Sequence, residues 1–178
     1  GAGVLLLYIT FAPLFRKTKE LRKEVPDGEV KKLQLVTDIH YKRIAVTVDF
    51  SSSDNNAIGN AIAQGGKDAE YFLIHIVETA GARMMSNEIR DLETLSDKVN
   101  LQKYQQELEL KGYKIHIKLG FGNPKKSIPE IVNSMQCDLL VMGAHGHNTL
   151  KDLILGTTVN SVRHSVKVPV LIVKAPLP

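Results

Sequence analysis

From Arg43 onward, short β-branched and aliphatic runs alternate with stretches of helical periodicity, and this constrains the fold more than any other feature of the sequence. The runs Ile44 to Val48, Tyr71 to Val77, Lys114 to Leu119, Leu139 to Met142 and Val170 to Val173 are expected to be strands. Such strands, alternating with helices, are the signature of βαβ units and a parallel sheet covered on both faces. Between the first two runs, Ser51 to Asp54 offers N-cap residues, Ala57, Ile58, Ala61 and Ile62 make one apolar helix face, and Gly65-Gly66 stops it. A longer helix is expected from Asn87 to Lys111, with Ile89, Leu92, Leu95 and Val99 as its apolar stripe and Gly112 beyond its end. A third is expected to start at a capping box, Ser127-Ile-Pro-Glu130, with Pro129 in the first turn, and to run to about Met135. Right-handed crossovers then give an α/β fold, an open five-stranded parallel sheet with helices on both faces. Ligands of such sheets sit beyond the carboxyl ends of the strands, where strand order reverses.

The 178 residues are enough for one ordinary core and too few for two. Nine basic and five acidic residues lie between Arg16 and Arg43, leaving fourteen of each after it, so the net charge of +4 belongs to the N-terminal part. A neutral main body lacks the concentrated basic face that nucleic-acid binding needs, and without Trp there is little for bases to stack on. Cys137 has no partner cysteine, which fits a reducing, cytoplasmic setting, and it reads as a small residue packed at a helix-to-strand junction.

Before Arg43 the chain reads as an apolar segment over residues 1–15, a basic linker over 16–41, then the domain over 42–174 and a tail over 175–178. The opening GAGVLLLYITFAPLF is shorter than the roughly 20 residues that span a bilayer. Followed by Arg16, Lys17, Lys19, Arg22 and Lys23, it fits the end of a span with its basic flank on the cytoplasmic side, which would attach the domain to a membrane. An apolar arm that packs on a protein surface is the other reading.

After the fourth strand comes Gly143-Ala-His145-Gly146-His147, and further on Gly156-Thr157-Thr158 opens a helix. Two glycines at a strand end let backbone N–H groups approach an anion, since no Cβ intervenes. At the helix start, free amides and the positive end of the dipole favour phosphate, and the two hydroxyls add donors. There is no Walker motif, and the loop after the first strand, Asp49-Phe50-Ser51-Ser52-Ser53, has none of the glycines of a dinucleotide fold.

With these residues in view, the chain resembles the universal stress proteins. Nucleotide-binding members carry Gly, two residues, Gly, nine residues, Gly and then Ser or Thr, which Gly143, Gly146, Gly156 and Thr157 match at every position. The similarity extends to Asp49-Phe50-Ser51, His75-Ile76, Gly122-x-Pro124 and the closing Val168 to Val173. It implies a Rossmann-like fold of the adenine nucleotide alpha hydrolase type, strand order 3-2-1-4-5, holding ATP, or AMP or ADP, on the loop from Gly143 to Thr158. Mg²⁺ or Mn²⁺ would be carried in by the phosphates. Residue by residue, it implies Asp49 at the ribose and Ile76 and Met142 as apolar walls for adenine. Thr47 stands where many relatives have Pro. His145 and His147 read as solvent-facing histidines of the phosphate loop, with His145 placed to touch phosphate when protonated.

His145 and His147 lack the further ligands that zinc wants, and no nucleophile, base and orienting group assembles from the sequence. Relatives that split ATP carry a Ser-Gly-Gly-rich loop where this chain has Asp49 to Asp54. The resemblance therefore implies a nucleotide-responsive regulatory domain rather than an enzyme, paired as a homodimer through its last strand. A cytoplasmic regulatory tail of a membrane transporter and a ligand-free dimerisation module are the alternatives.

Overall fold

A computed structural model describes residues 39–78, 87–144 and 156–174. In chain order they form β1 (Arg43–Thr47), α1 (Asp54–Gly65), β2 (Glu70–Val77), α2 (Asn87–Leu110), β3 (Lys114–Phe121), α3 (Pro124–Ser134), β4 (Leu139–Gly143), α4 (Thr157–Ser165) and β5 (Val170–Val173). The five strands make one sheet in the order β3-β2-β1-β4-β5, and every pairing is parallel. Fold class and strand order are as expected from the sequence.

Alternation along each strand sorts the core into two layers. Ile44 and Val46 of β1, Tyr71 and Leu73 of β2 and Leu139 and Val141 of β4 pack with Ala57 and Ala61 of α1 and Leu101 and Leu108 of α2. The intervening residues Ala45, Phe72, Ile74, Leu140 and Met142 pack with Ile128, Ile131 and Val132 of α3 and Val159 and Val162 of α4. Both faces of the sheet are thus covered, which is why its strands read as nearly unbroken apolar runs.

Two helices depart from expectation. The stripe foreseen on α2 is exposed, with Leu92 at 66%, Leu95 at 56% and Val99 at 41%, whereas Leu101 and Leu108 are buried and Tyr104 packs against the same layer. The side chain of Ile89, also assigned to that stripe, lies outside the described ones. What disguised the true face is Asp97, one turn before Leu101, which turns inward to His75 at 3.3 Å. Helix α3 begins a turn earlier than the capping box at Ser127 would place it. The Asn123 side chain accepts the Lys125 N–H, Pro124 occupies the first turn where it costs no hydrogen bond, and Ser127 Oγ donates instead to the Phe121 carbonyl at 2.8 Å. Pro129 consequently lies inside α3.

The helix-stop readings hold. Gly66, after α1, has φ of 63° and Gly112, after α2, has φ of 84°, left-handed values that favour glycine. The calls on the apolar start, the linker up to residue 38 and the tail from 175 lie outside the described residues. Among those described, no helix is long and apolar enough to cross a membrane.

The corrected face of α2 is testable by urea unfolding. Leu101→Ala is expected to cost about 2–5 kcal/mol through cavity formation, and Leu95→Ala less than about 0.5 kcal/mol. Equal losses would mean that the exposed stripe carries the packing.

Candidate functional site at the strand ends

The chain winds outward from β1 through β2 to β3, and on the other side from β4 to β5, so strand order reverses between β1 and β4. The carboxyl ends of strands at such a reversal are the general location of ligand crevices in open parallel sheets. Thr47, Ile76 and Met142 all project by alternation to one face, the layer of α3 and α4. Continuing the Val46–Val141 register by one residue sets Thr47 beside Met142. Met142 is 3% exposed and belongs to the core, while Ile76 is half-buried at its margin. Room for Ile76 comes from Gly120 on β3: a Cβ there would sit 2.5 Å from Ile76 Cδ1 and 2.8 Å from Ile131 Cδ1. Ile76 and Met142, assigned to an adenine wall, and Thr47, which stands where many relatives have Pro, therefore share one face at adjacent strand ends.

The phosphate side is framed by the two ends of the loop. Gly143 closes β4, the Ala144 N–H donates to the Val173 carbonyl at 2.8 Å, and the Gly156 N–H reaches back to the Ala144 carbonyl at 3.5 Å. This holds the start of α4 beside the end of β4. Gly156 is the N-cap and Thr157 and Thr158 form the first turn, with no acidic residue there and Arg163 and His164 in the last turn. The first intrahelical bond runs from Asn160 N–H to the Gly156 carbonyl, so the preceding amides point out of the helix start. His145 and Gly146 fall outside the described residues.

Asp49 sits just past β1, half-buried, its Oδ1 accepting the Ser51 N–H at 3.1 Å in a local Asx turn. Phe50 follows with φ of 62°, strained for a bulky residue. Asp54, the first residue of α1 and only 2% exposed, holds this bend: Oδ1 accepts the Asp49 N–H at 3.2 Å, and Oδ2 accepts the Phe50 N–H at 2.8 Å and the Tyr104 hydroxyl at 3.2 Å. The Phe50 ring lies 4.4 Å from the His75 ring and 6.1 Å from that of Tyr104. Burial, reinforced by the charge of neighbouring Asp49, raises the Asp54 carboxyl from 3.8 to about 6, although the N–H donors of Asp49 and Phe50 pull the other way. Burial and then the Asp54 charge push the Tyr104 phenol up to about 12, so it stays an O–H donor.

Sequence reasoning took Asp54 as one of several N-cap residues. Ser53 is the N-cap and makes no side-chain cap bond, its Oγ lying 2.7 Å from Ser51 Oγ, while Asp54 serves the loop before the helix. Tyr104 and Asp97 were missed as well. A carboxylate and a phenol inside otherwise apolar helix faces were the available signal. His75 is hydrogen-bonded at the end of β2: Nδ1 lies 2.9 Å from the Val48 carbonyl and Nε2 3.3 Å from Asp97 Oδ2. Cys137 is buried between α3 and β4, and burial pushes its thiol up to about 11, leaving a weak nucleophile. Among the described residues no three His, Cys, Asp or Glu side chains gather closely enough to hold a metal ion.

The fold defines a doubly wound α/β domain whose strand order reverses between β1 and β4. The profile of the universal stress protein family matches residues 40–174, and the chain belongs to that family. Universal stress protein MJ0577 of Methanocaldococcus jannaschii is 27% identical over 156 residues, spanning 76% of this chain and 96% of the relative. The solved structure of MJ0577 superposes with a TM-score of 0.70 at 28% identity, covering 79% of this chain and all (100%) of that one. UspA from Lactobacillus plantarum gives a TM-score of 0.67 at 21% identity, over 76% of this chain and 99% of its own. A universal stress protein in complex with cAMP shares the fold at 21% identity, with a TM-score of 0.56 and coverage of 78% and 100%.

Because the folded state holds the Asp54 proton more tightly than an unfolded chain at 3.8, the stability it contributes is complete below that value and is lost as pH rises through about 6. Urea unfolding between pH 4 and 7 is expected to show this falling component in the wild type and not in Asp54→Asn. An unchanged profile in the variant would assign the titration to another group.

Proposed function

We propose that this domain is a regulatory module that binds an adenine nucleotide, ATP foremost, with AMP and ADP as the other candidates. One juxtaposition carries the reading. Gly143 at the end of β4 and the open amides at the start of α4 are tied together through Ala144 and Gly156, beside the same-face trio Thr47, Ile76 and Met142. An anion would find backbone donors and a helix dipole on one side, and a flat ring an apolar wall on the other. Asp49, past the end of β1, would accept the ribose hydroxyls, and Thr157 and Thr158 would add hydroxyl donors to the phosphates. Gly143, His145, Gly146 and Gly156 complete the loop assignment, and Mg²⁺ or Mn²⁺ would arrive with the triphosphate. The relative solved with cAMP supports the reading to the extent that this fold accepts an adenine nucleotide.

No catalytic group is assigned. Nucleotide binding would order the loop from Gly143 to Thr158 with the helix behind it, and so shift a partner or a second copy between states. The partly buried Val168, Val170, Leu171 and Ile172 at the β5 edge favour pairing of two copies. A role as the cytoplasmic domain of a membrane transporter stays tied to residues 1–15.

Gly156 makes a clean test. Its φ is −51°, and an added Cβ would meet only the Ala144 carbonyl at an ordinary 3.8 Å, so a larger residue fits the empty fold. Calorimetry is expected to show ATP binding to the wild type, weakened at least about tenfold in Gly156→Val, while the melting temperature moves by less than about 5 °C. No heat of binding at millimolar ATP, or equal affinity in the variant, would sink the proposal.

A further inference from the structure

Asp54 opens α1, where a carboxylate suits the helix dipole, yet it is buried and turned back to the loop before the helix. Its two oxygens are spent on the backbone amides of Asp49 and Phe50 and on the Tyr104 hydroxyl, which reaches across from α2. Phe50, wedged between His75 and Tyr104, keeps the bend from relaxing. The bend that carries Asp49 is therefore held from behind, by Asp54.

We propose that Asp54 is the positioning residue of the nucleotide site, and that loss or gain of its proton tunes how tightly the ligand is held. This rests on the nucleotide-binding reading above. With its carboxyl neutral, the acid keeps its three donors, because the added proton is turned to the Asp49 carboxylate, whose side-chain hydrogen bond favours the protonated form. The bend survives in both states. Only the charge changes, and it changes next to Asp49, beside a crevice meant for a polyanion. Deprotonation sets a second negative charge against the incoming phosphates, so affinity falls as pH rises through about 6, where this acid titrates. The other titratable groups facing this corner are Asp49 from the β1 loop, Tyr104 and Asp97 from α2 and His75 from β2, the last two paired with each other behind Phe50.

The experiment is ATP calorimetry on the full chain at steps from pH 5 to 8, with wild type, Asp54→Asn and Tyr104→Phe. Affinities are compared as ratios to Asp54→Asn at each pH, so that the phosphates' own titration cancels, and melting curves in the same buffers confirm that each protein is folded. The wild-type ratio is expected to fall about three- to tenfold from pH 5 to pH 8, with a midpoint near 6. Tyr104→Phe, which removes a donor from the carboxylate, is expected to keep that profile with its midpoint moved upward. A flat ratio in a wild type that binds ATP overturns this inference alone. Absence of ATP binding at every pH overturns the functional reading and this inference with it.

Discussion

Strand β1 is hydrogen-bonded along both edges, to β2 and to β4, and the winding of the chain reverses on it. The rest follows from that arrangement. With helices sent to both faces, every central strand must be apolar on both sides, and the two layers of core share the same sheet. The reversal falls between β1 and β4, and the carboxyl ends of strands at such a reversal are where open parallel sheets place their ligand crevices.

The polar groups next to that crevice are held from the α1 and α2 side of the sheet. Asp54 and Tyr104 fix the β1 loop through its backbone, and the His75–Asp97 pair ties the end of β2 to α2 while His75 also meets the Val48 carbonyl. Burying a carboxylate is expensive unless its oxygens are satisfied, and Asp54 is satisfied by three donors. The apolar wall lies on the opposite face, above α3 and α4. Support of the β1 loop and the surface proposed to face the ligand thus belong to different layers of the domain.

Much of this was legible in the sequence where periodicity is strong. Strand positions, the left-handed glycines after α1 and α2 and the helix start at Gly156-Thr157 follow from local chemistry that tertiary contacts do not override. The buried face of α2 did not. Leu92, Leu95 and Val99 form an apolar stripe as regular as Leu101 and Leu108, and only the position of β2 and β3 beneath the helix selects between them. The start of α3 was misplaced because a capping box and an Asn-Pro start compete within one turn, and the backbone leaving β3 favoured Asn123.

By itself, the sequence determined the fold class, the family and the equipment of the glycine loop, since these depend on residue type at fixed spacing along the chain. The tertiary structure alone decided which residues stand behind that loop's neighbour, the bend at Asp49. Asp54, Tyr104, His75 and Asp97 come from three separate elements, and their hydrogen bonds exist only once the crossovers have brought α1, β2 and α2 against the end of β1. Spacing along a chain carries no trace of such a meeting, because the desolvation that makes each partner necessary arises only after the core has closed.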